Sequence, residues 1–249
     1  MKILYLGDGP IQGPASYLYC SLSHLGYQVT HLEPSKKLSP ILLRRGRFDA
    51  LILSDYSHKN LKAAESLIVR LVREKGMGLL MVGGWGSFSG GGYRGTKIGS
   101  LLPVQIQKGD DRLNYSPGFR MFPTGNCLPL KKSLFRQGPV ICGLNRVTPK
   151  KETCTLFKAH PLEFLVNGKV RSLASGYPLL VVGSAGKGYS AAFTTDFAPH
   201  WAGGLVDWGS KRVSIRIPSK KAGVEVGVTY VRFIGQLIKW LGSSSGLAK

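Results

Sequence analysis

Acidic residues are scarce in this chain: 13 Asp and Glu stand against 34 Lys and Arg in 249 residues, a formal net charge of +21. A field of that sign attracts anions such as phosphorylated metabolites, nucleic acid or anionic lipid. The basic residues nevertheless come singly or in pairs, among them Lys36-Lys37, Arg44-Arg45, Lys131-Lys132, Lys150-Lys151 and Lys220-Lys221. No zinc finger or RNP-type aromatic strand accompanies them, so nucleic-acid binding has charge behind it but no motif. Cysteine is sparse as well. Cys20, Cys127, Cys142 and Cys154 form no Cys-x-x-Cys pair and have no histidine at ligand spacing, which argues against a zinc site and for reduced thiols. No apolar run approaches the roughly 20 residues needed to span a bilayer. The opening Met1–Asp8 is interrupted too early for a signal peptide and reads as a strand, so the expected compartment is the cytoplasm.

What is there is an alternation of strand and helix signals. Apolar strands are expected at Lys2–Gly7, Tyr27–Leu32, Asp49–Ser54 and Gly78–Val82. Helices are expected over 14–25, closed by Gly26, and over 60–75, where Leu61, Ala64, Leu67, Ile68, Leu71 and Val72 share a face. Unbroken apolar strands between such helices argue for an α/β fold with a mostly parallel sheet covered on both faces. Residues 97–175 break the rhythm with Gly, Pro and basic residues. They read as an irregular insertion of loops, short strands and one short helix packed on the sheet, with His160-Pro161 in a loop. A last amphipathic helix is expected over 223–241, followed by a flexible tail over 242–249. The expectation is one domain over 1–249.

Ligands of parallel sheets bind beyond the carboxyl ends of the strands. Those ends carry Asp8-Gly9, Asp55-Tyr56 and Gly83-Gly84-Trp85-Gly86. The most informative stretch is 179–201, where two apolar runs flank Gly186-Lys187-Gly188 and the second ends in Asp196, Pro199, His200 and Trp201. An acid, an imidazole and an indole thus arrive at one sheet edge, and the proline stiffens their delivery.

On Lys2–Gly9, Asp49–Tyr56, Leu79–Val82 running into Gly83-Gly84-Trp85-Gly86-Ser87-Phe88, and Ala192–Trp201, the chain resembles the glutamine amidotransferase-like group of the class I glutamine amidotransferase-like superfamily, a group related to the ThuA-like proteins. The resemblance covers most of the chain, the middle segment least. It implies a flavodoxin-like three-layer sandwich. In catalytic members it also implies a cysteine nucleophile on a strand-to-helix elbow and a histidine after a late strand. His200 matches that histidine, with Trp201 and Ala202 in place of the usual Pro-Glu. Gly84 stands where the cysteine is expected, so glutamine hydrolysis through a thioester is not implied.

Each candidate has a structural alternative. Ser87 and Ser89 suit a cap or loop hydrogen bond, Cys20 and Cys142 suit core packing, and Cys127 and Cys154 fall in the inserted segment. The cluster Gly83-Gly84, Gly86 and Gly90-Gly91-Gly92 could approach an anion at a helix start or simply form an open turn. With Lys97 misplaced, it matches neither the P-loop nor the dinucleotide fingerprint. Trp201 and Trp208 with Tyr56 and Tyr93 would make an aromatic rim for a flat ligand. The catalytic candidate is His200; the ligand-binding candidates are Asp8, Asp55, Tyr56, Gly83, Gly84, Trp85, Gly86, Asp196 and Trp201. Three functions follow: binding of a small anionic or polyhydroxylated molecule, hydrolysis or group transfer with His200 as general base, and charge-driven binding to nucleic acid or an anionic surface. A homo-oligomer, with the inserted segment covering a neighbour's sheet edge, is compatible with each. No metal or cofactor is expected.

Overall fold

The computed structural model describes residues 1–124 and 138–243. Cys127, Lys131-Lys132 and residues 244–249 of the expected tail lie outside the described residues. Short apolar runs make the first strands, β1 (Lys2–Gly7), β2 (Gln28–Leu32), β3 (Ala50–Ser54) and β4 (Gly78–Val82), and β3 and β4 are buried along their whole length. Between them run α1 (Ser16–His24), α2 (Pro40–Gly46) and α3 (Glu65–Lys75). The expected helix over 60–75 begins late, because two 3-10 turns, His58–Asn60 and Lys62–Ala64, precede it. Alternate residues of β1 serve opposite faces. Ile3 and Tyr5 pack with α1, and Leu4 and Leu6 pack with the buried face of α3 through Ile68 and Val72.

The inserted segment is more regular than its glycines, prolines and lysines suggest. It contains α4 (Lys97–Leu101), β5 (Val104–Ile106), β6 (Arg112–Pro123), β7 (Val140–Asn145), β8 (Val147–Pro149), β9 (Cys154–Phe164) and β10 (Val170–Ser172). His160-Pro161 therefore lies inside a strand, not a loop, with His160 Nδ1 2.8 Å from the Leu173 carbonyl. Cys142 on β7 is exposed rather than buried. The late hairpin is β11 (Tyr177–Ala185) and β12 (Gly188–Phe193), followed by the short α5 (Pro199–Ala202). Residues 223–227, expected to open the last helix, instead belong to β14 (Ala222–Gly227), which pairs with β13 (Arg212–Ile217), and α6 spans Val228–Leu241. Val224 and Val226 alternate with Gly223 and Glu225, a strand period that merges at the glycine boundary into a helical one.

The main sheet runs β2-β1-β3-β4-β12-β11-β9-β6-β7, with β10 on β9. From β2 to β12 neighbours are parallel; from β12 onward they are antiparallel. Helices α1 and α6 cover one face, while α2, α3 and α4 cover the other, which makes the three-layer α/β architecture. Strand order reverses between β1 and β3, the topological switch point where open α/β sheets form a crevice. No helix among the described residues is long and apolar enough to cross a membrane.

Candidate functional site

At that switch point lies a crevice of about 330 Å³, lined by Asp8, Gly9, Pro14, Pro34, Asp55, Trp85, Gly86 and His200. Asp8 and Asp55 each follow a strand and adopt positive φ, 57° and 48°. A left-handed residue directly after a strand turns the chain sharply, and Asp tolerates that region better than most side chains. The Asp8 N–H donates to Ser54 O at 3.0 Å and the Ser54 hydroxyl to Asp8 Oδ1 at 2.9 Å, tying the ends of β1 and β3 together. The Tyr5 hydroxyl donates to Asp8 Oδ2.

Below the crevice, the turn after β4 is fastened on every side. Gly83 N–H lies 2.7 Å from Phe193 O and 2.9 Å from Thr195 O, which joins it to the end of β12. Gly84 N–H donates to Asn145 Oδ1 at 2.9 Å, and Asn145 Nδ2 donates to Asp111 Oδ1 at 3.0 Å. Gly86 N–H donates to Asp55 Oδ1 at 2.6 Å, while Asp55 N–H donates to Ser87 Oγ at 3.1 Å. The backbone donors of the turn thus already hold a carboxylate. Gly84 has φ +152°, and a Cβ placed on it would stand 2.2 Å from Asp55 Oδ1. No side chain fits there while Asp55 keeps its place. No helix follows Gly86 directly. Turns continue to Thr96, the N-cap of α4, because positive-φ positions at Phe88, Gly92 and Gly95 interrupt any helical run.

The late-strand segment supplies the opposite wall. Asp196 is buried, its Oδ1 accepting from Ala198 N–H at 3.0 Å and so fixing the entry to α5. His200, on that helix and half exposed, places Nε2 3.2 Å from Asp196 Oδ2, outside hydrogen-bond alignment. Trp85 is 59% exposed, with the Arg112 guanidinium 4.2 Å from the centre of its ring.

Three carboxyl groups converge here in a chain with few acids. Burial pushes Asp8 up to about 7, opposed by the hydrogen bonds from Tyr5 and Ser54 and assisted by the charge of Asp55. Burial, then the charge of Asp8, holds Asp196 well above the usual carboxylate range. Burial also raises Asp55, against the Gly86 N–H and His200, which favour its charged form. Asp8 thus keeps its proton up to about neutrality, so the cluster offers a hydrogen-bond donor beside its acceptors. Among the described residues, no three His, Cys, Asp or Glu side chains come together as a metal site.

Comparison with known proteins places this geometry. A family model described as "Putative glutamine amidotransferase" matches residues 41–214. The chain belongs to this family. The match includes the glycine turn and the Asp196–Trp201 segment, while β1 with Asp8 lies before it. Among solved structures, "Cytoplasmic Protein STM3548" of Salmonella typhimurium superposes with a TM-score of 0.68 at 20% identity, covering 96% of this chain and 98% of that one. "Cytoplasmic Protein STM1381" of Salmonella typhimurium LT2 gives 0.63 at 23% identity, covering 82% and 91%. Agd3, a carbohydrate deacetylase, gives 0.50 at 12% identity, covering 97% of this chain and 32% of its own. These likenesses show a shared fold alone. No curated protein sequence matches significantly.

Of the residues nominated in this family member from sequence, Asp8, Asp55, Trp85, Gly86 and His200 line the crevice. Asp196 stands behind His200, and Gly83 and Gly84 lie buried beneath the floor. Tyr56 and Trp201 do not reach the crevice. Tyr56 is buried on the α3 face, its hydroxyl 2.5 Å from Lys36 O, and Trp201 is buried with its indole against β7 at Gly143. Tyr93 and Trp208 are buried as well, so the expected aromatic rim reduces to Trp85. Sequence reasoning missed Asn145, which clamps Gly84 from the inserted segment, and Asp111, which holds Asn145 in place. The available signal was rarity: Asp110, Asp111, Glu152 and Glu163 are the only acids in 97–175.

Proposed function

We propose that this family member is not a glutaminase, and that its crevice binds a small polyhydroxylated molecule in the cytoplasm. The observation that carries this reading is the Asp55 carboxylate on the Gly86 N–H. An amidotransferase needs a thiol at the turn and free backbone donors for the oxyanion. Here Gly84 has no side chain, and a built-in anion occupies a donor beside it. The crevice itself favours hydroxyls over anions. Asp8 and Asp55 line it; a carboxyl group exchanges hydrogen bonds with a ligand hydroxyl whether or not it is ionised, whereas an ionised one repels a phosphate. Trp85 adds an exposed apolar face, a frequent companion of such polar groups in ligand pockets. The likeness to a carbohydrate deacetylase concerns the fold, and the polyol reading stands on the crevice alone.

The test is a thermal-shift and calorimetric panel of neutral sugars and alditols beside their phosphorylated counterparts. Neutral compounds are expected to raise Tm. Trp85→Ala, at an exposed position, should weaken their binding by about tenfold, the 1–1.5 kcal/mol of one aromatic contact, without changing the apo Tm. A response only to the phosphorylated compounds would reject the reading.

The second reading, a hydrolase or transferase, is favoured by the His200–Asp196 pair. The buried Asp196 carboxyl group stands 3.2 Å behind a half-exposed imidazole, which leaves the ring open to take a proton from water or a hydroxyl. On that reading, His200→Ala lowers turnover of a bound sugar ester by about 10²–10⁴-fold and leaves the fold intact. Turnover equal to wild type would exclude His200 as the base.

A further inference from the structure

At the opposite pole of the parallel sheet lies a larger cavity of about 750 Å³, beneath Asp49 and Gly76-Met77, which lead into β3 and β4. The length of a five-residue strand, about 16 Å, separates it from the crevice. Its floor is apolar: Phe48, Leu67, Leu71 and Met77. Its rim is cationic, made by Arg44 and Arg47 at the end of α2 and by Arg70 and Lys75 on α3. None of these four side chains makes an ion pair or hydrogen bond with a described residue. The acid at the rim, Asp49, accepts instead from the Lys2 N–H at 2.7 Å.

Cations at helix C-termini are ordinary, since the carbonyl ends favour them. That accounts for Arg44 and Lys75, which lie in the last turns of α2 and α3. It does not account for Arg70, further back on α3. Setting four cations against Asp49 and two helix ends of roughly −0.5 each leaves an excess of about two positive charges over an apolar floor. The local backbone also commits to this arrangement. Arg47 caps α2 with φ 47°, a conformation glycine adopts more readily, and the Phe48 ring lies where a Cβ on Gly46 would be, 2.2 Å away.

We propose that this cavity is a second ligand site, which takes a soluble amphipathic anion: one apolar chain or ring on the floor and a phosphate, sulfonate or carboxylate head at the rim. Its volume falls within the roughly 300–1,000 Å³ of small-molecule pockets. The site is separate from the crevice and of the opposite charge, so it does not depend on the polyol reading.

The experiment uses 8-anilinonaphthalene-1-sulfonate as fluorescent probe and decyl phosphate, below its micellar concentration, as competitor. Saturable probe fluorescence is expected, displaced by decyl phosphate but not by equal concentrations of inorganic phosphate or 1-octanol, since head and chain act together. The double variant Arg47→Gly/Arg70→Gln should raise Kd at least about tenfold, one lost charge-assisted contact being enough for that. Glycine suits the φ at position 47 and Arg70 is exposed, so the variant keeps its fold, checked by an unchanged far-UV spectrum. Leu67→Gln, which alters the floor, should weaken binding with the rim intact. Non-saturable fluorescence, an unchanged Kd in the double variant, or full displacement by inorganic phosphate would overturn the proposal. So would binding to phosphatidylglycerol vesicles without binding to monomeric decyl phosphate.

Discussion

Asp8→Asn raises the stability of the protein by roughly 2–3 kcal/mol at pH 8 and by only about 0.5 kcal/mol at pH 4.5. In the native state burial keeps the Asp8 proton up to about pH 7, whereas an unfolded Asp releases it near 3.8. Between those values the folded chain binds more protons than the unfolded one, so stability falls as pH rises, by at most about 1.4 kcal/mol per unit. The whole interval corresponds to about 4 kcal/mol. Asp8 is only half-buried at the crevice floor, and residual solvation reduces that value. Asp196 is raised by burial and then by the charge of Asp8, so it adds a slope of the same sign, which a neutral residue 8 relieves. Asparagine tolerates the φ of 57° as aspartate does, and its amide oxygen still accepts from Tyr5. His31, held below its ordinary value by burial, contributes the opposite sign below about pH 6.5. The diagnostic quantity is therefore the difference between the two urea-denaturation profiles from pH 4.5 to 8. A constant difference, or Asp8→Asn destabilising throughout, would refute the burial of a protonated Asp8.

The parallel half of the sheet was legible because each strand is a local apolar run with its polar terminator attached. Ile3–Leu6 ends at Asp8, Ala50–Leu53 at Asp55, Leu79–Val82 at the glycines. Knowing that ligands sit beyond carboxyl ends then brings Asp8, Asp55, Trp85 and His200 to one place without coordinates. The antiparallel half was not legible, since its pairing is long-range: Met121 faces Ala159, and Gly118 and Pro161 interrupt the alternation that would mark the strands. The residues just past strand ends were legible in position but not in direction. Asp55 at positive φ reverses the chain, so Tyr56 returns to the core while Asp55 faces the crevice. Trp201 goes to β7 because Asp196 fixes the start of α5, a side-chain contact that no periodicity encodes. Asn145 and Asp111 act on Gly84 across distant chain, and their types alone do not distinguish a clamp from a solvated loop.

A thiol placed at the turn is expected not to make the protein a glutaminase. Gly84→Cys is expected to lose about 2–6 kcal/mol of stability and to release no ammonia from glutamine. Two costs add. A φ of +152° is strained for any residue with a Cβ, by about 1–3 kcal/mol. The new Cβ would also stand 2.2 Å from Asp55 Oδ1, and overpacking of this kind costs about 1–3 kcal/mol. Asp55 has little freedom to yield, because Gly86 N–H holds its carboxylate and Ser87 Oγ its backbone. The two costs separate in a double-mutant cycle. Asp55→Ala removes the obstacle, so Gly84→Ala should cost less in that background by about 1–2 kcal/mol, the remainder being backbone strain. Additive changes would mean that Asp55 does not occupy the space beside Gly84. A stable Gly84→Cys protein that hydrolysed glutamine would refute the non-glutaminase reading as well. The cycle thus tests whether the turn can take a side chain at position 84 or is built around the Asp55 carboxyl group.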